Sequence, residues 1–101
     1  MHVTVRSIPK RSNKIVFRKI EDEYILVPML ASSAEVEHIF NVNKVGADIW
    51  EKIDGRRSVG DIINELIGEY SADPDRIERD VFSFLHDIAE AGIIEIYHED
   101  G

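Results

Sequence analysis

The sequence has no cysteine among its 101 residues. A disulfide framework, a thiolate nucleophile, an iron–sulfur cluster and every thiolate zinc site are therefore excluded. A membrane span requires about 18 consecutive apolar residues, and no run in the sequence is nearly that long. The start MHVTVRSIPKRSN lacks the continuous apolar stretch of a signal peptide. We expect one soluble domain over residues 1–101, located in the cytoplasm and without a membrane partner.

Catalytic and cofactor motifs are also missing. The loop Gly55–Gly60 has the glycine spacing of a phosphate-binding loop, but Asp61 and Ile62 stand where Lys and Ser or Thr are needed. No Gly-x-Ser-x-Gly elbow occurs, and the histidines are too scattered to hold a metal. They are His2, His38, His86 and His98. We therefore expect no catalytic residue, no metal and no cofactor, and a protein that is not an enzyme.

The charge is divided unevenly along the chain. Residues 1–19 contain six Lys or Arg and no acid, a charge of +6, whereas residues 20–101 carry the other six bases and all 20 acids, a charge of −14. So acidic a body repels a phosphate backbone, and no nucleic-acid partner is expected. We interpret residues 1–13 as a flexible basic arm or as part of an edge strand.

The first half of the chain has the pattern of a small antiparallel sheet. Two apolar runs, IVFRKI and YILVPM, are separated by the acidic connection EDE, which predicts a hairpin. Residues 30–35, LASSAE, are typical of a loop. The run VEHIFNV at residues 36–42 alternates in polarity, so that His38, Phe40 and Val42 share one face of a third predicted strand.

The second half predicts three helices. Asn43 is the expected cap of the first, which ends at Asp54-Gly55; Ser58 caps the second, and Asp73-Pro74 begins a third that runs to about Ala91. After Gly92, the run IIEIY predicts a short strand that folds back on the domain. The predicted fold is α+β and resembles a winged helix-turn-helix, with a three-stranded antiparallel sheet followed by three helices.

The strand at residues 37–42 and the third helix together suggest a peptide-binding edge. If that strand lies at the rim of the sheet, its unpaired main chain can accept a peptide as an added strand. On a helical wheel, Ile77, Val81, Phe84 and Ile88 form the centre of the apolar face of the third helix. A shoulder beside them comprises Phe82, Leu85 and Ala89, with Glu78 adjacent. Phe82 either packs against IIEIY or forms the wall of a peptide groove.

Motifs over nearly the whole chain resemble one family. They are VFRKIEDEYILVPM, then HIFNVNKVGADIWEKIDGRRSVGDIINEL, then DPDRIERDVFSFLHDIAEAGIIEI. In this order and spacing they closely resemble the PqqD family. The resemblance implies a peptide chaperone, the recognition element for ribosomally made and later modified peptides. It also implies that a precursor's leader is held along the third strand and presented to a modifying enzyme, commonly a radical S-adenosylmethionine protein.

Carried onto this chain, the resemblance implies two groups of peptide-binding residues. The strand contributes His38, Ile39, Phe40, Asn41 and Val42, and the third helix contributes Glu78, Phe82, Leu85 and Ala89. Asn43 and the turn DGRRSV match the family motif but have the chemistry of capping and turn residues. Departures at Val42 and Lys44–Val45 leave open whether the pathway is pyrroloquinoline quinone synthesis.

Two other functions and the oligomeric state stay open at this point. A winged-helix DNA-binding regulator fits the architecture, although its recognition helix should carry clustered bases, and a stand-alone enzyme lacks any recognisable site. The chain is expected to be a monomer, or a dimer formed by pairing or swapping of an exposed edge strand.

Overall fold

The computed structural model describes residues 3–28 and 40–98. Five strands and three helices lie in this part of the chain. In chain order they are β1 (Ser7–Arg11), β2 (Ile15–Ile20), β3 (Glu23–Pro28), β4 (Phe40–Val42), α1 (Lys44–Lys52), α2 (Val59–Glu69), α3 (Pro74–Glu90) and β5 (Ile94–His98). The α+β architecture predicted from the sequence is confirmed, including the three consecutive helices.

Strands β2, β3 and β4 form a three-stranded antiparallel sheet in that order. The predicted hairpin is confirmed: β2 and β3 are joined by two residues, of which Glu21 has a positive φ of 56°. Of the third predicted strand, residues 40–42 are the strand β4, whereas residues 36–39 and the predicted loop at residues 30–35 lie outside the described residues.

A second, two-stranded sheet joins the two ends of the described chain. Strand β1 pairs antiparallel with β5, with Ser7 opposite His98 and Arg11 opposite Ile94. On its other side, the carbonyl of Pro9 accepts a hydrogen bond of 3.2 Å from the amide of Gly55. The prediction that IIEIY folds back on the domain is confirmed. Of the two interpretations of the basic residues 1–13, residues 7–11 form the strand rather than the flexible arm, and this strand is held between β5 and the α1–α2 turn.

The helix termini form where the capping residues predicted them. The Asn43 side chain accepts a hydrogen bond of 2.8 Å from the amide of Gly46 at the start of α1. At the start of α2, Ser58 and Asp61 form a reciprocal capping box, each side chain bonded at 3.1 Å to the other residue's amide. Asp73 caps α3, and Pro74 occupies its first turn.

We expect Ser58→Ala to lower the free energy of unfolding by about 1 kcal/mol, because it leaves the Asp61 amide without its capping acceptor. Urea denaturation followed by circular dichroism measures this change. Ser71→Ala is the matched control: Ser71 is exposed and outside the helices, so its loss should change stability by less than about 0.5 kcal/mol. Equal effects of the two substitutions would contradict a stabilising role for the cap.

One hydrophobic cluster holds the helices against the inner face of the three-stranded sheet. Trp50 of α1 is almost fully buried, and the Phe17 ring of β2 stacks on it with 6.4 Å between ring centroids. Leu26 at the centre of β3 and Leu85 of α3 have no exposed surface. None of the three helices in the described part of the chain is long and apolar enough to cross a bilayer.

Candidate functional site

Strand β4 is at an edge of its sheet. It pairs with β3 on one side only, with Tyr24 opposite Val42 and Leu26 opposite Phe40. Within the described residues, no strand pairs with its other side. Such an edge presents unpaired amide and carbonyl groups at the spacing that an additional strand needs. The expected position at the rim is thus found for Phe40, Asn41 and Val42; His38 and Ile39 lie outside the described residues.

The side chains of β4 divide between the two faces of the sheet. Residues directly opposite in an antiparallel pair share a face, so Phe40 and Val42 lie with the buried Leu26 on the core side. Val42 is 8% exposed and Phe40 is partly buried, whereas Asn41 is exposed on the outer face. A strand added to β4 would therefore have one row of side chains directed to the core side and one to the outer side.

The position of Gly46 shows which part of α3 approaches β4. A methyl group at Gly46 would collide with Cγ1 of Val42 and would lie 3.1 Å from Cε1 of Phe84. Phe84 of α3 therefore stands beside the end of β4, across a residue with no side chain. A cleft of about 420 Å³ opens at this junction. Its lining includes Asn43, Val45 and Gly46 from the start of α1, and Arg76, Asp80, Ser83, Phe84 and Asp87 from α3.

The predicted assignment of residues on α3 needs correction. Leu85 has no exposed surface and Ala89 is 7% exposed, so both belong to the core rather than to an exposed shoulder. Phe84, predicted at the centre of the apolar face, is only partly buried and lines the cleft. The buried stripe of α3 consists of Ile77, Val81, Leu85, Ile88 and Ala89.

Phe82 and Glu78 lie on the other flank of α3. Because successive helical residues are turned by about 100°, Phe82 and Phe84 point about 160° apart around the helix axis. With Phe84 beside Val42, Phe82 is directed away from the end of β4; it is partly buried, and Glu78 is exposed. The structure thus brings Phe84, which was expected in the core, to the end of β4, and the helical geometry directs Phe82 to the opposite flank. The wheel alone could not choose between these two flanks.

Acidic side chains border β4 on both sides. Asp22 and Glu23, at the β2–β3 turn, line a second cleft of about 410 Å³ that also includes Asn41 and Val42. Asp80 and Asp87 of α3 line the first cleft together with one cation, Arg76, so the two clefts contain four carboxylates and one cation. None of these four carboxylates forms an ion pair within the described part of the chain. The surroundings of the β4 edge therefore favour a ligand with Lys or Arg side chains.

The DGRRSV turn is a structural element, as its chemistry suggested. The Asp54 carboxylate accepts hydrogen bonds of 2.9 and 2.8 Å from the amides of Arg56 and Arg57. These bonds stabilise the charged form and hold the pKa of Asp54 below its usual value. Gly55 has a positive φ of 77°, and Arg57 forms a 2.8 Å ion pair with Glu65 of α2. The turn thus fixes α1 against α2 and lies apart from the β4 edge.

The two histidines among the described residues, His86 and His98, are not gathered into a site. His86 is exposed, with Nε2 4.0 Å from a carboxylate oxygen of Glu90, and Nδ1 of His98 is 3.4 Å from the Ser7 hydroxyl. No group of three or more metal-ligating side chains occurs in residues 3–28 and 40–98. The described residues therefore offer main-chain groups and apolar surface at the β4 edge rather than a set of reactive side chains.

Comparison with known families and proteins gives a consistent result. The family model described as "Coenzyme PQQ synthesis protein D (PqqD)" matches residues 29–94. A "PqqA binding protein" of Gluconobacter oxydans is 36% identical over 58 residues, which are 57% of this chain and 60% of that protein. A second, of Rhodopseudomonas palustris strain TIE-1, is 26% identical over 90% of this chain and 82% of its own length. Several of these curated relatives are matched over less than two thirds of their length.

Solved structures share the fold. TbiB1, determined in complex with the TbiA(beta) leader peptide, superposes with a TM-score of 0.69 at 28% identity, covering 89% of this chain and 99% of that chain. The PqqD truncation of Methylobacterium extorquens PqqCD, described as a stand-alone recognition element for ribosomally synthesised and modified peptides, superposes with a TM-score of 0.73. It is 22% identical and covers 93% of this chain and 95% of its own.

Proposed function

Because the chain belongs to the PqqD family, as its motifs predicted, we propose that it binds the leader of a ribosomally made precursor peptide and presents the rest of that peptide to a modifying enzyme. The chain itself makes and breaks no bond. The modifying enzyme we propose is of the radical S-adenosylmethionine type, and the binding takes place in the cytoplasm, where ribosomes supply the precursor.

The unpaired edge of β4 is the observation that carries this proposal. A disordered peptide that adds to a sheet gains main-chain hydrogen bonds whatever its sequence, and gains specificity from the pockets that take its side chains. The names of relatives support the same interpretation, since they are called PqqA binding proteins. TbiB1, 28% identical, was determined with a leader peptide bound.

We propose that the leader lies antiparallel to β4, on the side of that strand that faces α3. Neighbouring strands are spaced by about 4.8 Å, so a leader in this place would border both the main chain of residues 38–42 and the side chains of α3. Phe84 supplies the apolar wall at the end of β4, and Asp80 and Asp87 supply charge beside it. Of the residues expected earlier on α3, Leu85 and Ala89 hold the helix in place from within the core.

The choice between the two flanks of α3 can be tested with a matched pair of variants, Phe84→Ser and Phe82→Ser. Both phenylalanines are partly buried on the same helix, so the two variants lose similar packing. We expect Phe84→Ser to weaken leader binding by about tenfold or more, because a few apolar anchors carry most of the affinity of such an interface. Phe82→Ser should change the affinity by less than about twofold.

The measurement is a titration of the isotopically labelled full chain, followed by amide chemical shifts. The probes are the short peptides encoded beside its gene, the TbiA(beta) leader and a PqqA precursor, with duplex DNA as the control. Shifts at residues 40–42 and at Phe84 that occur with a peptide and not with DNA support the proposal. A larger loss with Phe82→Ser would instead restore Phe82 and Glu78 as the peptide-binding flank, and shifts with DNA alone would indicate a regulator.

A further inference from the structure

The structure contains a second charged region, formed by residues other than those around β4. Lys10, Arg11 and Lys14 line a cleft of about 390 Å³ formed where β1 ends and the chain turns into β2. The remaining lining comes from Ser12 and Asn13, and from Gly92 and Glu95 at the start of the final strand. We call this the basic cleft. It shares no residue with the two clefts that border β4.

The cations of the basic cleft differ from the paired cations of α1 and the α1–α2 turn. Lys44, Lys52 and Arg57 each form an ion pair within the described residues. None of the three cations in the basic cleft does so, even though Lys10 is directly opposite Glu95 in the strand register. Arg11 is attracted by the nearby carboxylates of Glu51 and Asp54, and Glu95 also lines the cleft, so the positive charge that the fold leaves without an ion pair is mainly that of Lys10 and Lys14.

Arg11 is held in place before any partner arrives. Its Nε donates a 3.1 Å hydrogen bond to the carbonyl of Trp50, and its guanidinium lies 5.1 Å from the centre of the Trp50 ring. The stem of Lys10 lies along the Gly55 backbone, since an added Cβ there would be 3.4 Å from Cγ of Lys10. Side chains fixed in this way lose less conformational freedom when they bind a charged group.

We infer that the basic cleft is a docking site for an acidic polypeptide segment of a partner protein. A segment with a few Asp or Glu side chains can place its carboxylates among the three cations, and its negative charge need not extend beyond the cleft. A nucleic-acid backbone would have to continue past the cleft over a body of charge −14, which repels it. An acidic protein segment is therefore the occupant that the charge distribution favours.

The location of the basic cleft allows a partner and a leader to bind together. The chain leaves the cleft directly into β2, and β2 is at the far edge of the sheet from β4, two strand spacings or about 10 Å away. A partner docked there would leave the β4 edge open. The inference goes beyond the proposed leader binding and does not depend on it, because it concerns different residues and a ligand of opposite charge.

The test is a titration of the labelled full chain with poly-L-glutamate at low salt, without any leader peptide. We expect amide shifts at residues 10–14 and 92–95, and their disappearance at about 0.5 M NaCl, where charges are screened within about 4 Å. Lys14→Glu should weaken binding about tenfold. Arg79→Glu is the matched control, since it makes the same charge change at an exposed position of α3 that has no ion pair within the described residues, and it should change the affinity by less than about twofold.

Three results would overturn the inference. Equal losses of poly-L-glutamate affinity with Lys14→Glu and Arg79→Glu would mean that the binding depends only on the net charge of the chain. Tighter binding of duplex DNA at the same amides would make the cleft a nucleic-acid site. The absence of any shift would mean that the three cations bind no acidic polypeptide. Lys10→Glu provides a second variant, and the amide spectrum of each variant shows directly that it is folded.

Discussion

Leu85→Ala is expected to lower the free energy of unfolding by about 2–5 kcal/mol, the range for truncation of a fully buried leucine. Leu85 has no exposed surface and belongs to the hydrophobic cluster shared by the sheet and the helices. For a chain of 101 residues, a loss of this size is a large share of the total stability. Urea denaturation measures it, and Glu78→Ala, an exposed position on the same helix, should change stability by less than about 0.5 kcal/mol.

Leu85→Glu should have a still larger effect and unfold the chain, because it buries a carboxylate that has no partner. A combined change of Phe82 and Leu85 to acidic residues would therefore abolish leader binding through loss of the fold, and would say nothing about a groove. Leu85→Glu with a dispersed amide spectrum and near-normal stability would contradict the assignment of Leu85 to the core.

The elements that the sequence predicts well are those set by neighbouring residues. Asn43, Ser58 and Asp73 cap the three helices because each supplies an oxygen to an amide two or three residues later. The β2–β3 hairpin likewise needs only a short connection between two apolar runs. Strand β1 was harder to predict, because its partner β5 is at the opposite end of the described chain and its basic residues were compatible with either an arm or an edge strand.

The candidate site could be predicted from the sequence only on the strand side. Alternation along the chain identifies residues 40–42 as a strand, and the sheet order then makes it an edge. On α3, both Phe84 and Leu85 continue the spacing from Ile77 and Val81, so helical periodicity alone permits either one at the centre of the buried stripe. The choice depends on what packs opposite, which is a property of the tertiary structure.

Gly46 is the residue that brings the strand and the helix together, and Gly46→Ala should lower the free energy of unfolding by about 1–2 kcal/mol. Alanine favours a helix over glycine by up to about 1 kcal/mol, so the local preference alone predicts a gain. The added methyl group, however, would collide with Val42 and crowd Phe84 at 3.1 Å. Val42 is a β-branched residue with 8% of its surface exposed, and has little freedom to turn away.

The matched control is Gly68→Ala, the same substitution in α2 at a place where an added Cβ meets nothing within 4 Å. It should raise the free energy of unfolding by about 0.5–1 kcal/mol, so the two variants are expected to change stability in opposite directions. Urea denaturation of both variants checks the signs, and a gain in stability with Gly46→Ala would contradict the close approach of Val42 and Phe84.

The two glycine substitutions should also differ in their effect on leader affinity. Gly46→Ala changes the distance between Val42 and Phe84, on which the proposed site depends. We expect it to weaken leader binding by about tenfold in a chain that remains folded, while Gly68→Ala leaves the affinity within about twofold. If Gly46→Ala lowers stability but leaves leader affinity unchanged, the leader binds elsewhere along β4, beyond the reach of Phe84. Gly46→Ala could also weaken leader binding by more than its loss of stability accounts for. In that case the spacing between β4 and α3 itself contributes to selection of the peptide.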